Sequence, residues 1–98
     1  MIGERRREQD AQALGRHLCA WRKLLGYTAA QVAERAGISR PTLTKIEHGD
    51  PGVGVGPLLS VIRVLGLSSK LLTALDPYES DLGRASADRI LPQRVRRQ

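Results

Sequence analysis

Among its 98 residues the chain has no phenylalanine, one tryptophan, two tyrosines and a single cysteine. Its core must therefore be aliphatic, drawn from Leu, Val, Ile and Ala, and small enough to suit short helices. The lone Cys19 cannot close a disulfide within the chain or supply a multi-cysteine zinc site, so a disulfide scaffold is excluded and a reducing cytoplasm is the expected location. Long apolar runs are missing too. The longest uncharged apolar stretch, Val53 to Leu59 with its Gly and Pro included, falls far short of the ~20 residues that cross a bilayer, so no membrane partner is expected. Acidic residues are scarce, with ten Asp and Glu against sixteen Lys and Arg and a net charge of +6. That field favours a polyanionic partner, nucleic acid before an acidic protein.

Catalytic constellations are equally thin. His17 and His48 fall in different segments, and no His, Cys and Asp set stands at ligand spacing, so no metal, cofactor or catalytic residue is expected and the chain reads as a non-enzyme. Gly52, Gly54 and Gly56 look superficially like a phosphate loop but lack the Gly-Lys-Ser/Thr ending. Residues of this number make one domain with tails, since two cores would each lie near the lower limit of independent folding.

What is present is a periodic middle. Residues 10–75 carry the apolar repeat and, with eight basic residues against four acidic, most of the excess positive charge. Residues 1–9, with Arg5, Arg6 and Arg7, read as a flexible basic arm without the apolar region of a secretory signal, and residues 76–98 as an Arg-rich tail that makes no core alone. Leu14, Leu18, Trp21 and Leu25 place an inward stripe on a helix from Asp10 to Leu25, ended by Gly26. Thr28 and Gln31 have capping-box spacing before Val32, Ala33 and Ala36, and Gly37 closes this second helix. Ser39 caps a third, with Pro41 in its first turn, Leu43 and Ile46 inward and Gly49 as the stop. Residues 50–57 read as a loop. A fourth helix carries Leu58, Leu59, Ile62 and Leu65 up to Gly66, and a fifth, capped by Ser68, carries Leu71, Leu72 and Leu75 up to Asp76-Pro77.

The informative unit is the pair of short helices joined at Gly37. A reversal needs a glycine, close helix contact needs a small residue such as Ala33, and the turn needs an apolar anchor such as Ile38; all three stand at the right spacing for a helix-turn-helix. The outer face of the second of these helices is polar and basic, with Arg40, Thr42, Thr44 and Lys45.

Over residues 14–75, Leu18…Trp21-Arg22…Gly26-Tyr27-Thr28-Ala29-Ala30-Gln31-Val32-Ala33…Ala36-Gly37-Ile38-Ser39…Leu43…Ile46-Glu47…Gly49 resembles the lambda-repressor/Cro-type (XRE-like) helix-turn-helix regulators. The layout after the third helix, with Asp50-Pro51-Gly52 and an Arg-rich end, is most similar to the HipB-type antitoxin branch. The resemblance implies an all-α, lambda-repressor-like five-helix bundle that presents its third helix to the major groove. It implies a cytoplasmic, nucleoid-associated and homodimeric regulator of double-stranded operator DNA, a repressor by output. The alternative is an antitoxin that neutralises a HipA-like kinase toxin and autoregulates its operon.

Carried over position by position, the resemblance assigns Ser39, Arg40, Thr42, Thr44 and Lys45 to DNA and Thr28 to a phosphate, with Ser39 and Thr28 also open to a capping role alone. Arg40 has the chemistry for a bidentate pair with guanine O6 and N7. Arg22 and Glu47 are implied as a structural ion pair linking the first helix to the end of the third. Two positions depart from the pattern. Ala29 stands where relatives often carry Gln, and Pro41 where many carry a base-reading side chain, which moves readout toward Arg40, Thr44 and Lys45. Dimerisation is expected around Leu71, Leu72 and Leu75, assisted by a stretch from Ile90 to Val95, and Arg94, Arg96 and Arg97 are open to phosphate, partner protein or solvent.

Overall fold

The computed structural model describes residues 2–90, which form six α-helices and one short 3-10 turn with no strand among them. In chain order these are α1 (Ile2–Leu24), α2 (Ala29–Ala36), α3 (Arg40–Glu47), α4 (Val55–Val64), α5 (Ser68–Leu75), the 3-10 turn Pro77–Glu79, and α6 (Asp81–Ile90). The all-helical bundle expected from periodicity is what forms, with one helix more than the five anticipated. The chain divides into two compact units, Met1–Leu67 and Ser68–Gln98.

In the first unit α1 packs on α3, and α2 on α3 and α4. Leu18, Val32, Ala33, Leu43, Ile46, Val61, Ile62 and Leu65 are buried, an aliphatic core with no aromatic ring in it. Burying side chains of this class stabilises by about 1.5–3 kcal/mol each, and the close fit of the few that are present carries the fold.

Two expectations for α1 are corrected. Residues 2–9, expected as a flexible arm, are the first turns of the helix. Glu, Arg, Gln and Ala are strong helix formers, and Glu4 in the first turn with Arg22 and Lys23 in the last opposes the helix dipole, so the segment is helical although its side chains from residue 3 to 10 are all exposed. The inward stripe is also rotated. Leu14, Trp21 and Leu25 are exposed, and the face turned to α3 is Gly15, Leu18 and Arg22. An apolar count is blind to a glycine contact and to a paired arginine, and those two features set the rotation.

Elsewhere, Val55, Gly56 and Pro57, expected in the loop, form the first turn of α4, where the missing N–H of proline leaves no helical bond unmade. Ile38, the turn anchor, is half-buried.

The second unit holds α5, the 3-10 turn and α6. Within the stretch read as a tail, residues 81–90 form α6 and bury Ala87. Its start is built locally. The Asp76 carboxylate accepts from Tyr78 N at 3.0 Å, while the Ser80 hydroxyl accepts from Gly83 N at 2.9 Å and donates to the Pro77 carbonyl at 3.0 Å. Gly83 lies directly on Pro77, whose Cα is 2.9 Å from where a side chain would begin. Packing by Gly, Ser and Ala leaves little hydrophobic signal, which is why apolar periodicity passes over this helix. Apart from Ile90 itself, the segment expected to assist dimerisation lies outside the described residues, and Arg94, Arg96 and Arg97 with it.

Candidate nucleic-acid interface

The α2–turn–α3 segment is held by a side-chain cap at the start of each helix. Gln31 N donates to Thr28 Oγ1 at 3.0 Å, and Thr28 N donates to the Gln31 side-chain oxygen at 2.9 Å, so both ends of the capping box are closed. At α3, Thr42 N donates to Ser39 Oγ at 3.1 Å, and the two hydroxyls share a further bond of 2.9 Å. Between them Gly37 adopts φ +69°, a left-handed conformation that any side chain would strain, and Ile38 N donates back to Ala33 O at 3.0 Å to seal the end of α2. Thr28→Ala and Ser39→Ala should each cost about 1 kcal/mol of stability, read as a lower urea midpoint at unchanged slope; no change in either would remove the capping role.

With the two helices fixed, α3 has one committed face and one free face. Leu43 and Ile46 are buried in the core, whereas Arg40 at the start of α3 and Thr44 and Lys45 beyond it are exposed to solvent. Thr42 is half-buried and already bonded to Ser39, so these two hydroxyls shape the entrance of α3 more than they project from it. Thr28 is exposed; its oxygen accepts from the backbone, which leaves its hydroxyl proton available to an external acceptor. Thr28 and Ser39 are therefore both caps.

The outer face continues into the loop after α3. A cavity of about 280 Å³ is lined by Thr42, Lys45, Asp50, Gly52, Val53, Gly54 and Pro57, and Asp50 there accepts from Gly52 N at 2.8 Å, which holds the loop in place. His48 ends α3 with its ring Nδ1 donating to the Thr44 carbonyl at 2.9 Å. Among the described residues no His, Cys, Asp and Glu group is placed to hold a metal ion, and no single helix is long and apolar enough to cross a membrane.

The position of α3 against α1 is fixed by a polar clamp and a tight crossing. Arg22 Nε donates to Glu47 Oε2 at 2.7 Å and Arg22 Nη2 to Glu47 Oε1 at 3.2 Å, a two-pronged pair with each side chain only 13% exposed. Arg22 Nη1 also donates to the Tyr27 carbonyl at 3.1 Å, tying the start of α2 into the same group. The carboxylate of Glu47 raises the guanidinium above its ordinary pKa by hydrogen bonding first and charge attraction second, against the opposing effect of burial. Below the clamp, Gly15 and Gly49 let the two helices touch. A side chain on Gly15 would begin 2.6 Å from the Glu47 carbonyl oxygen, and one on Gly49, which has φ +80°, 2.7 Å from Gln12 N. Sequence periodicity gives no sign of Gly15; its only trace is a glycine in mid-helix, where the residue otherwise costs about 1 kcal/mol.

Of the positions singled out in the sequence, Arg22 and Glu47 are joined, Thr28, Ser39 and Thr42 serve the caps, and Arg40, Thr44 and Lys45 share the solvent side of α3. A family model described as a helix-turn-helix domain matches residues 13–75, a span that includes every one of these positions. No curated protein and no solved structure matches the chain. With well over half of its length covered by that match, the chain belongs to the helix-turn-helix domain family and is a DNA-binding regulator of that type.

Proposed function

We propose that the chain is a sequence-specific, lambda-repressor-like (XRE-type) regulator that reads double-stranded operator DNA with α3, works as a homodimer in the cytoplasm and represses transcription, with no catalytic step and no cofactor. The observation that carries this reading is the division of α3 into a face locked by Leu43 and Ile46 and a solvent face of Arg40, Thr44 and Lys45. A helix with one side immobilised in the core can hold its other side in register with base edges. Arg40 at the first turn of α3 supplies the bidentate donor for guanine, Lys45 a donor toward a base or phosphate one turn on, and Thr44 a methyl and hydroxyl suited to thymine or adenine. Thr28 Oγ, at the start of α2, supplies a phosphate contact that fixes orientation. One such unit reads a half-site, and two-fold pairing makes a palindrome readable. Repression needs only occupancy, since a protein seated across a promoter blocks it.

Fluorescence anisotropy on duplex from the chain's own upstream region and on scrambled duplex tests the reading. Arg40→Ala is expected to lose about 1–3 kcal/mol on the upstream duplex while leaving scrambled binding in place. Equal, steeply salt-dependent binding of the wild type to both duplexes would reduce the interaction to charge attraction. Function would then move to a protein partner, as the HipB-type antitoxin alternative requires.

A further inference from the structure

The first unit holds a second recess, distinct from the one beside Lys45. A cavity of about 190 Å³ opens between α1, the end of α3 and the loop leading into α4, with Leu14, Ile46, Val53 and Leu58 in its lining. Its two charged residues stand on different walls. Arg7 follows, with Ala11 and Leu14, the i, i+4, i+7 face of α1, and Asp50 lies on the loop. Among the described residues neither is ion-paired, and of the Asp50 carboxylate only Oδ1 is engaged, by Gly52 N at 2.8 Å. An apolar recess with a few convergent polar groups has the make-up of a small-ligand site. At about 190 Å³ it is smaller than the ~300–1,000 Å³ of sites for drug-sized molecules and larger than the ~150 Å³ that accepts benzene, which sets the ligand at the size of a single amino acid.

We infer that this recess binds a free α-amino acid with a branched aliphatic side chain, and that the bound ligand strengthens DNA binding. The two charges choose the ligand. A simple amine meets Asp50 but is repelled by Arg7, and a simple carboxylate meets Arg7 but is repelled by Asp50; a zwitterion carries both signs on one carbon and satisfies the two walls together. Its side chain then displaces water from Leu14, Ile46, Val53 and Leu58. The link to DNA runs through the loop. Asp50 and Val53 also line the cavity that holds Thr42 and Lys45, so the loop is a wall common to both recesses. A bare carboxylate beside Lys45 opposes the approach of a phosphate, and a ligand ammonium on Asp50 cancels that charge. Binding is read on the chain alone, and only its effect on DNA rests on the function proposed above.

Amide NMR of the full chain, titrated with L-leucine to about 20 mM, tests the site, because a ligand of this size binds with a Kd of about 1 mM. Shifts should centre on Ala11, Leu14 and residues 50–53. Glycine, isocaproate and isopentylamine, which lack in turn the side chain, the ammonium and the carboxylate, should each bind at least about tenfold more weakly. Arg7→Gln and Asp50→Asn should weaken L-leucine by as much; the asparagine oxygen still accepts from Gly52 N, so the loop is kept. In fluorescence anisotropy, saturating L-leucine should raise affinity for the upstream duplex about fivefold, and Asp50→Asn should show the raised affinity without ligand and no response to it. No shifts by about 20 mM, analogues that bind as well as L-leucine, or shifts that survive both substitutions overturn the site. Nuclear Overhauser contacts showing the recess already filled by the chain's own side chains also overturn it. L-leucine binding that leaves DNA affinity unchanged or lowers it overturns the coupling. A chain that binds L-leucine but does not prefer the upstream duplex overturns the function proposed above and leaves the ligand site standing.

Discussion

Gly15→Ala is expected to destabilise the chain by about 3 kcal/mol, although alanine in mid-helix ordinarily stabilises by about 1 kcal/mol over glycine. The sign is decided by what the added carbon meets. At Gly15 it would begin 2.6 Å from the Glu47 carbonyl oxygen and 2.8 Å from its carbon, both backbone atoms at the end of α3. A flexible side chain yields to such a contact, but backbone yields only when the helices move apart. Separation of α1 from α3 loosens Leu18 and Ile46 and lengthens the bonds from Arg22 to Glu47. Gly3, also within α1, has nothing within 4 Å of the same position, and Gly3→Ala should leave stability unchanged or slightly higher. At about 4–8 °C per kcal/mol for a domain of this size, thermal melts separate the two variants clearly. Equal melting temperatures for both would mean that α1 and α3 do not touch at Gly15.

Glu47→Ala is expected to cost a similar amount, about 3 kcal/mol. Both side chains of the pair are largely covered, so removing the carboxylate leaves a guanidinium whose remaining contacts are the Tyr27 carbonyl at 3.1 Å and the Cys19 sulfur at 3.7 Å. Neither carries a full negative charge. Glu47→Gln should lose less, because an amide oxygen still accepts one bond. Replacing both partners with aliphatic residues should lose less than the two single changes together, since no charge is then stranded. A double-mutant cycle on thermal or urea unfolding gives this coupling, and strict additivity would mean that the pair contributes nothing of its own. The Arg22 pKa is raised, so its share of the stability is fully present below the ordinary arginine range and is lost only above it. On the alkaline side the guanidinium therefore keeps its charge and its hold on Glu47.

The parts of the fold that are legible in the sequence are those written in local chemistry. Thr28 with Gln31, Ser39 with Thr42, and the glycines at 37 and 49 each act within one turn of chain, and spacing alone places α2 and α3. The candidate DNA face is legible for the same reason, because once Leu43 and Ile46 are inward, Thr44 and Lys45 turn outward by helical geometry, while Arg40, the first residue of α3, is exposed at its start. What escapes is contact made by small or polar residues. Hydrophobic counting puts the α1 stripe on Leu14, Leu18, Trp21 and Leu25, of which only Leu18 is buried, because it cannot weigh the absence of a side chain at Gly15 or the pairing of Arg22 across 25 residues. Helix α6 escapes likewise, since Gly83 on Pro77 and buried Ala87 carry almost no apolar signal.

The two faces of α3 have a consequence for how such a regulator changes its targets. Stability is stored in Leu43, Ile46 and the clamp at Glu47, while Arg40, Thr44 and Lys45 touch solvent and contribute little to it. Substitutions on the outer side are thus nearly free of folding cost and are tested only by what they bind. A library randomised at those three positions should remain folded almost throughout, and new operator preferences can accumulate one residue at a time without passing through an unfolded intermediate sequence.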